Sequence, residues 1–291
     1  MLVVPAPAAL VAASYSLLPE LLTAEVLASD VLVAIDPRHP SRPLGAAAFL
    51  PTLHDEQLPG FRGLVRVLPA WRRRGIGRAL AHELSRHAAQ WGVAWLHAWD
   101  AHSPGPEASF LQSTGFDACL SVHHFVGDIE TALAMSSARV ELMRVRGRIP
   151  RSVAVVSLVE VPIASILGLY RSQMGFASHE EIASNLQQQD CRADSTAVLD
   201  GDRLLGFLLT RPGGDLPAAD LWIVDSAERN GWAAALVLQA TLQRMAQRGA
   251  RGVRFHCNDR ALATQNFARR IGARLESTRV GYARALNRGT M

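Results

Sequence analysis

The chain repeats itself, and a chain that carries one fold twice has few other options. The segment LVRVLPAWRRRGIGRALAHEL (64–84) is echoed by LWIVDSAERNGWAAALVLQATL (221–242). Each reads as a short β-rich run, a turn with glycine, and a long helical pattern. A second β-like run follows in both halves, VAWLHAW and then VRFHC. After it comes a short helix ending in glycine, FLQSTGF and then FARRIGA. Gly75 to Gly115 spans 40 residues and Gly231 to Gly272 spans 41, so the offset is 156 at one landmark and 157 at the other. Upstream, PLGAAAFL pairs with RLLGFLL, Gly45 and Gly206 lying 161 apart, which a different hairpin length explains. Asp200-Gly201 between AVL and RLLGFLL is a two-residue hairpin signal.

The boundary between the copies is expected near Pro150. Before it, DIETALAMSSARVELMRVRGR has helical spacing; after it, SVAVVSLVEV opens a fresh strand. The chain of 291 residues therefore divides into domains of 1–150 and 151–291, each of ordinary size. The expected class is α/β (α+β), each domain a mixed, mostly antiparallel sheet flanked by helices.

Composition narrows the chemistry. All 30 basic residues are arginine, which excludes a lysine Schiff base, a Walker lysine and a lysine general base. A net charge of +4 favours anionic small molecules without arguing for nucleic acid. Cys119, Cys191 and Cys257 are far apart and odd in number, which fits a reducing compartment. No apolar run reaches the roughly 18 residues of a membrane span. Residues 1–14 are apolar, but Pro5 and Pro7 interrupt them and the first basic residue is Arg38, so they are not read as a leader. The expected location is the cytoplasm, without a membrane.

The turn after the first β run carries the chemistry. Leu64–Val67 is a strand that stops at Pro69, which cannot donate to a ladder. Arg72, Arg73, Arg74, Gly75, Ile76, Gly77 and Arg78 then lead into a helix whose apolar face is Ile76, Leu80, Leu84, Ala88 and Trp91. A strand, a glycine turn and a helix N-terminus make an anion site, because unpaired amides point outward and the dipole favours negative charge. A Walker loop needs Gly-Lys, which is absent. A dinucleotide fingerprint needs a glycine where Leu80 stands, and needs it directly after the strand.

What remains is V-x-P-x-x-R-x-x-G-x-G, from Val67 to Gly77. This resembles the acyl-coenzyme A signature Gln/Arg-x-x-Gly-x-Gly/Ala of the GNAT superfamily of N-acyltransferases, met by Arg72, Gly75 and Gly77. Gly115-Phe116 stands at the distance that the family's closing motif requires. The resemblance covers most of 30–126 and, more faintly, 153–284; the tandem layout is similar to that of the mycothiol synthases.

The resemblance implies acetyl-coenzyme A as cosubstrate. The backbone of Val65, Arg66 and Val67 would pair with the pantetheine arm, and the amides from Arg72 to Arg78 would cradle the pyrophosphate. The strand over Val93–Trp99 would splay away to admit the thioester. A backbone N–H near Val67 or Leu68 would polarise its carbonyl, a donor type that supplies about 2.7–4 kcal/mol at the transition state.

The second copy departs from this pattern. Glu228 stands in the place of Arg72, followed by Arg229, Asn230, Gly231, Trp232 and Ala233. A carboxylate facing a pyrophosphate repels it, so the first domain is expected to bind the cofactor and the second to serve as scaffold or pocket wall. Many family members carry a tyrosine four residues before the closing glycine, as acid for the leaving thiolate. Leu111 and Ala268 occupy those places. A thiolate of pKa about 8.5 leaves with little help near neutral pH.

Candidate bases are Asp100 and His102 after the second strand of the gap, and His54, Asp55 and Glu56 in the loop before the first. The stripe Trp95, His97, Trp99 reads as core packing, matched by Phe255 and Cys257 in the second copy, with His97 a satisfied buried histidine. His82-Glu83 with His87 has the wrong helical spacing for a shared zinc, and His123-His124 point to opposite faces. No metal site is expected. The leading reading is a cytoplasmic N-acetyltransferase that moves an acetyl group from acetyl-coenzyme A to a primary amine, on a small molecule or peptide, by direct attack. The alternative is an inactive acyl-coenzyme A-binding or regulatory module. The chain is expected to be a monomer or a homodimer.

Overall fold

The computed structural model describes residues 1–19, 31–50, 58–174, 186, 194–227 and 231–286. In chain order the first copy runs β1 (Leu2–Pro5), α1 (Ala8–Leu17), β2 (Val31–Asp36), β3 (His39–Leu50), β4 (Gly60–Val67), α2 (Ile76–Gln90), β5 (Trp95–Ala98), α3 (Pro106–Ser113) and β6 (Asp117–Asp128). Helix α4 (Ile129–Val145) follows. The second copy repeats the order: β7 (Val153–Ser157), α5 (Ile163–Met174), β8 (Thr196–Asp200), β9 (Arg203–Arg211), β10 (Ala218–Val224), α6 (Trp232–Gln247), β11 (Gly252–Asn258), α7 (Leu262–Arg270) and β12 (Arg274–Ala285). No helix among the described residues is long and apolar enough to cross a membrane.

Two compact units emerge, and they are drawn differently from the expected division at 150. Among the described residues, unit 1 is Met1–Ser121 with the stretch from Arg279 on, and unit 2 runs from Val122 to Thr278. The reason lies in the closing strands. Within unit 1, β12 pairs with β5 antiparallel, Ala283 opposite His97. Within unit 2, β6 pairs with β11 antiparallel, His124 opposite His256. The strand that ends each repeat is thus held by the next-to-last strand of the other.

In unit 1 the sheet order is β1-β2-β3-β4-β5-β12, and only β4 and β5 pair in parallel. The apolar run AAAFL in β3 is buried on both faces. Ala46 and Ala48 pack with the helix α1 side, Ala47 and Phe49 with the α2 side, where Phe49 stacks on Phe61 at 5.2 Å. Residues 1–14 belong to this fold: β1 pairs with β2, Val3 opposite Ala34. Helix α2 buries Ile76, Leu80, Leu84 and Ala88 as expected, but ends at Gln90. Trp91 lies one residue past it, 48 % exposed, and meets Phe49 and Phe61 edge-on. His97 is 4 % exposed with its Nε2 2.7 Å from the Leu58 carbonyl, a satisfied core histidine.

In unit 2 the order is β6-β11-β10-β9-β8-β7, and again only one pair, β10 with β11, is parallel. Asp128 caps α4 by accepting from the Thr131 amide at 2.8 Å. The β8–β9 turn uses Gly201 and Asp202, with Asp200 opposite Arg203 and Gly201 at φ 59°.

The landmarks Gly45 and Gly206 have one physical cause. A Cβ on Gly45 would lie 2.7 Å from the Arg66 carbonyl oxygen, and one on Gly206 3.0 Å from that of Ile223. At both places the neighbouring strand closes on the backbone.

Candidate functional site

A cleft of about 1020 Å³ opens in unit 1 where β4 and β5 part. Their parallel pairing runs from Gly60 opposite Trp95 to Gly63 opposite Ala98 and stops there. Strand β4 continues to Val67, with β3 still paired on its other side. Leu68 donates its N–H to the Leu44 carbonyl at 3.0 Å. By the alternation of an antiparallel ladder, the backbone groups of Arg66 and Leu64 also face β3, and those of Val65 and Val67 face the cleft. The Leu68 amide is therefore committed to β3, and the expected carbonyl-polarising donor narrows to Val67. Strand β5 is shorter than the expected 93–99, and its early end leaves the gap open.

The far end of the cleft is the anion turn. Pro69–Trp71 forms a 3-10 turn, and helix α2 then begins from Gly75 at φ 79°, with no side chain capping it. The first intrahelical donor is Ala79, bonded to the Gly75 carbonyl, so the amides before it have no partner within the helix. Arg73 at φ 63° has positive φ without being glycine, a conformation that costs about 1–2 kcal/mol and tilts successive amides toward one side. Gly77 lies where a Cβ would come 3.2 Å from the Phe110 ring of α3 and 3.6 Å from Val67.

The expected residues separate into those the cleft gathers and those it does not. Val65, Arg66, Val67, Arg72, Arg73, Gly75, Gly77 and Arg78 line it, as do Asp100 and His102. Arg72 also donates from Nε to the Val67 carbonyl at 3.2 Å, tying the turn to the strand end. Arg74 stacks its guanidinium 4.8 Å from the Trp71 ring centre instead. Ile76 turns its side chain into the core, 4 % exposed, so only its backbone belongs to the turn. His102 is fixed by its backbone, bonded both ways with Val280 at 2.8 Å. His54, Asp55 and Glu56 lie outside the described residues, as do Cys191, Glu228, Arg229 and Asn230.

The cleft also shows residues that sequence reasoning missed. Glu107, Ser109, Phe110 and Ser113 of α3 line it, and so does Leu111, at the place where the tyrosine was sought. Their signal was Pro106-Glu107, a proline at the first helical position with an acid in the first turn. Trp99 lines the cleft as well, with the Arg62 guanidinium 4.6 Å from its ring centre.

Unit 2 has the corresponding gap, but it holds only about 270 Å³. Strands β10 and β11 pair from Ala218 to Ala219 and then part, and α6 starts from Gly231 at φ 67°. The pairing registers make Trp222 the counterpart of Val65 and Ile223 that of Arg66. Phe255, opposite Ala219 at the last parallel pair, is the counterpart of Ala98. The offset of 156 at the helix start sets Ala233 against Gly77 and Ala234 against Arg78. This register corrects the expected match of the Trp95, His97, Trp99 stripe with Phe255 and Cys257. Phe255 packs with Leu242 and Met245 of α6, whereas Trp99 packs on the α1 side. Among the described residues, no cluster of three or more His, Cys, Asp or Glu is placed to hold a metal ion.

Comparison with known proteins agrees with this geometry. Residues 28–118 match the model of the acetyltransferase (GNAT) domain. A tandem GNAT protein from the clavulanic acid biosynthesis pathway is 17 % identical, with 88 % of this chain and 82 % of that one covered at a TM-score of 0.52. A GCN5-related N-acetyltransferase from Anabaena variabilis is 12 % identical over 98 % and 73 % of the two chains, TM-score 0.66. Eis1 from Mycobacterium abscessus is 13 % identical over 90 % and 65 %, TM-score 0.59. At these identities the likeness is one of fold. No curated protein matches the sequence.

Proposed function

We propose that this chain, a tandem GNAT protein whose 28–118 stretch is a GNAT acetyltransferase domain, transfers an acetyl group from acetyl-coenzyme A to a primary amine in unit 1. Acyl-coenzyme A-dependent acetyl transfer is the activity of that family. The observation that carries the reading is one continuous cleft running from the uncapped, arginine-lined start of α2, along the free edge of β4, to Asp100 and His102.

The cosubstrate fits this cleft. Arg72, Arg73 and Arg78, with the amides from Arg73 to Arg78, would hold the pyrophosphate, and charge-assisted bonds of this kind are the strong ones. The Val65 and Val67 backbone would pair with the pantetheine amides as a further strand does. The amine attacks the thioester carbonyl carbon, the Val67 N–H stabilises the developing oxyanion, and the carbon–sulfur bond breaks to give the amide and the coenzyme A thiolate. Asp100 or His102 takes the ammonium proton, directly or through water.

In unit 2 the same plan lacks what an acyl-coenzyme A needs. Ile223 and Ala234 replace two arginines, and Trp222 and Phe255 occupy channel positions. That unit is read as scaffold with respect to this cofactor. A cytoplasmic location fits the cysteines: Cys257 is buried and Cys119 donates its thiol to the Gly281 carbonyl.

Leu111, in place of a tyrosine acid, favours a second reading in which unit 1 binds acyl-coenzyme A without turnover. A calorimetric titration with acetyl-coenzyme A on the wild type and on Gly77→Asp, with thiol release followed on a panel of primary amines, separates the two. One site per chain, lost in the variant, with amine-dependent thiol release supports the transferase. One site with no release supports the binding module, and no site removes both.

A further inference from the structure

We propose that the outer edge of β7 in unit 2 is a docking surface for a second copy of this chain. The two β7 strands would pair antiparallel about a two-fold axis at Ala154. This goes beyond the transferase reading and does not depend on what unit 1 binds.

The hydrogen-bond pattern of the edge is complementary to itself. Strand β7 is the last of its sheet and pairs with β8 alone. Leu158 donates its N–H to the Ser195 carbonyl at 3.0 Å. By the alternation of an antiparallel ladder, the backbones of Val156 and Ala154 also face β8, and those of Val153, Val155 and Ser157 face outward. The Ser157 amide is closed by the Glu160 carboxylate at 2.9 Å, in a capping box. The outward donors left open are the N–H groups of Val153 and Val155, which no bond occupies among the described residues. With the axis at Ala154, Val153 of each copy stands opposite the partner's Val155. Both N–H and both C=O groups of each copy are then matched, in four bonds.

The edge also lacks the devices that keep strand edges apart, namely proline and charge. In unit 1 the outer strand β1 has such a device. Ala6 donates its N–H to the Val31 carbonyl, so the same alternation turns Val3 and Pro5 outward, and Pro5 has no N–H to offer. In unit 2 the run SVAVVSLV (152–159) holds neither proline nor charge. Val155 is 40 % exposed, and Val159 and Ile163 just beyond the strand are exposed as well.

Charge selects the occupant. Arg151 precedes the strand and Glu160 follows it, both exposed. An antiparallel copy brings the basic start of each strand toward the acidic end of the other, twice over. A parallel copy would set like charges side by side, which is unfavourable. The side chains suit the same pairing. Ala154 is exposed and small, so two copies of it meet at the axis without crowding. Val153 packs with the residues of α4 and α6, and its pairing with the partner's Val155 would cover the exposed valine on the same face.

The experiment follows the oligomeric state of the full chain by sedimentation over a concentration series. The wild type is expected to show a reversible monomer–dimer equilibrium. Val155→Pro removes an outward N–H and spares the ladder to β8. It costs two of the four bonds and should weaken the dimer about 10-fold. Ala154→Lys sets two lysines against each other at the axis, and Ala154→Glu two carboxylates, so each variant should associate less than the wild type. An equal mixture of the two should associate about 10-fold more tightly than either alone, a rescue that also shows both to be folded. The wild type and Val155→Pro decide the matter if either charged variant does not fold. A wild type that stays monomeric at every concentration overturns the proposal and leaves the edge to a partner of another kind. A dimer indifferent to Val155→Pro and Ala154→Lys overturns it by placing the interface elsewhere. So does a mixture of folded variants that associates no more tightly than its components.

Discussion

The two units share a backbone plan, and four of the side-chain differences between them set the width and charge of the gap. Both open a gap where a short parallel pair ends, and both start the following helix from a glycine in the left-handed region. Unit 1 leaves the gap wide with Val65 and Ala98 and lines it with Arg66 and Arg78. Unit 2 sets Trp222, Phe255, Ile223 and Ala234 at those places, and about 1020 Å³ becomes about 270 Å³. The gap itself is held open by what lies around it: β3 or β9 behind, and the buried face of α2 or α6 in front. A cleft that the core maintains can therefore change its width and charge by side-chain substitution alone.

The sharpest way to break this comparison is to give unit 1 the side chains of unit 2. Val65→Trp with Ala98→Phe should lower acetyl-coenzyme A affinity by about 100-fold or more, a loss of at least roughly 2.7 kcal/mol. Titration calorimetry reads it, with circular dichroism to confirm the fold. Unaltered affinity would mean that channel width does not separate the two clefts. Charge comes next. Arg66→Ile and Arg78→Ala, the identities found in unit 2, should each cost about 10-fold, since a hydrogen bond to a charged group contributes about 1.5–3 kcal/mol. The loss should shrink at higher salt, because these arginines are screened at the cleft mouth. Titrations at two ionic strengths test both points.

Much of this was legible in the sequence because it is local. The strand that stops before Pro69, the arginines, Gly75 and the amphipathic start of α2 are neighbours in the chain, and the anion turn follows from them. The repeat was legible because Gly45 and Gly206 answer to the same close approach of backbone. The closing strands were not. Nothing in residues 117–128 or 274–285 says which next-to-last strand each will pair with, since both choices satisfy the same antiparallel ladder. The register of β11 was misread for a related reason. Phe255 and Cys257 alternate as Trp95, His97 and Trp99 do, and period-two patterning fixes which residues share a face without saying which face it is. Leu68 shows the same limit on a smaller scale, because only the ladder with β3 reveals that its amide is taken.

The finest discrimination between the units comes from a change that should cost both the same. Gly75 and Gly231 each hold a helix start at positive φ, 79° and 67°. A Cβ on Gly75 would meet nothing within 4 Å, and one on Gly231 only the Arg139 guanidinium at 3.7 Å, an ordinary contact. Alanine at either position is thus opposed by backbone strain alone, about 1–2 kcal/mol, and the two variants should show similar falls in melting temperature. Their effects on acetyl-coenzyme A should differ. Gly75→Ala disturbs the amides proposed to hold the pyrophosphate and should weaken binding several-fold, whereas Gly231→Ala should leave the titration unchanged. Weakening in both would show that the second helix start also carries cofactor. Weakening in neither would move the anion contact from the amides of the turn to its arginines, which the Arg78→Ala titration would then have to bear out.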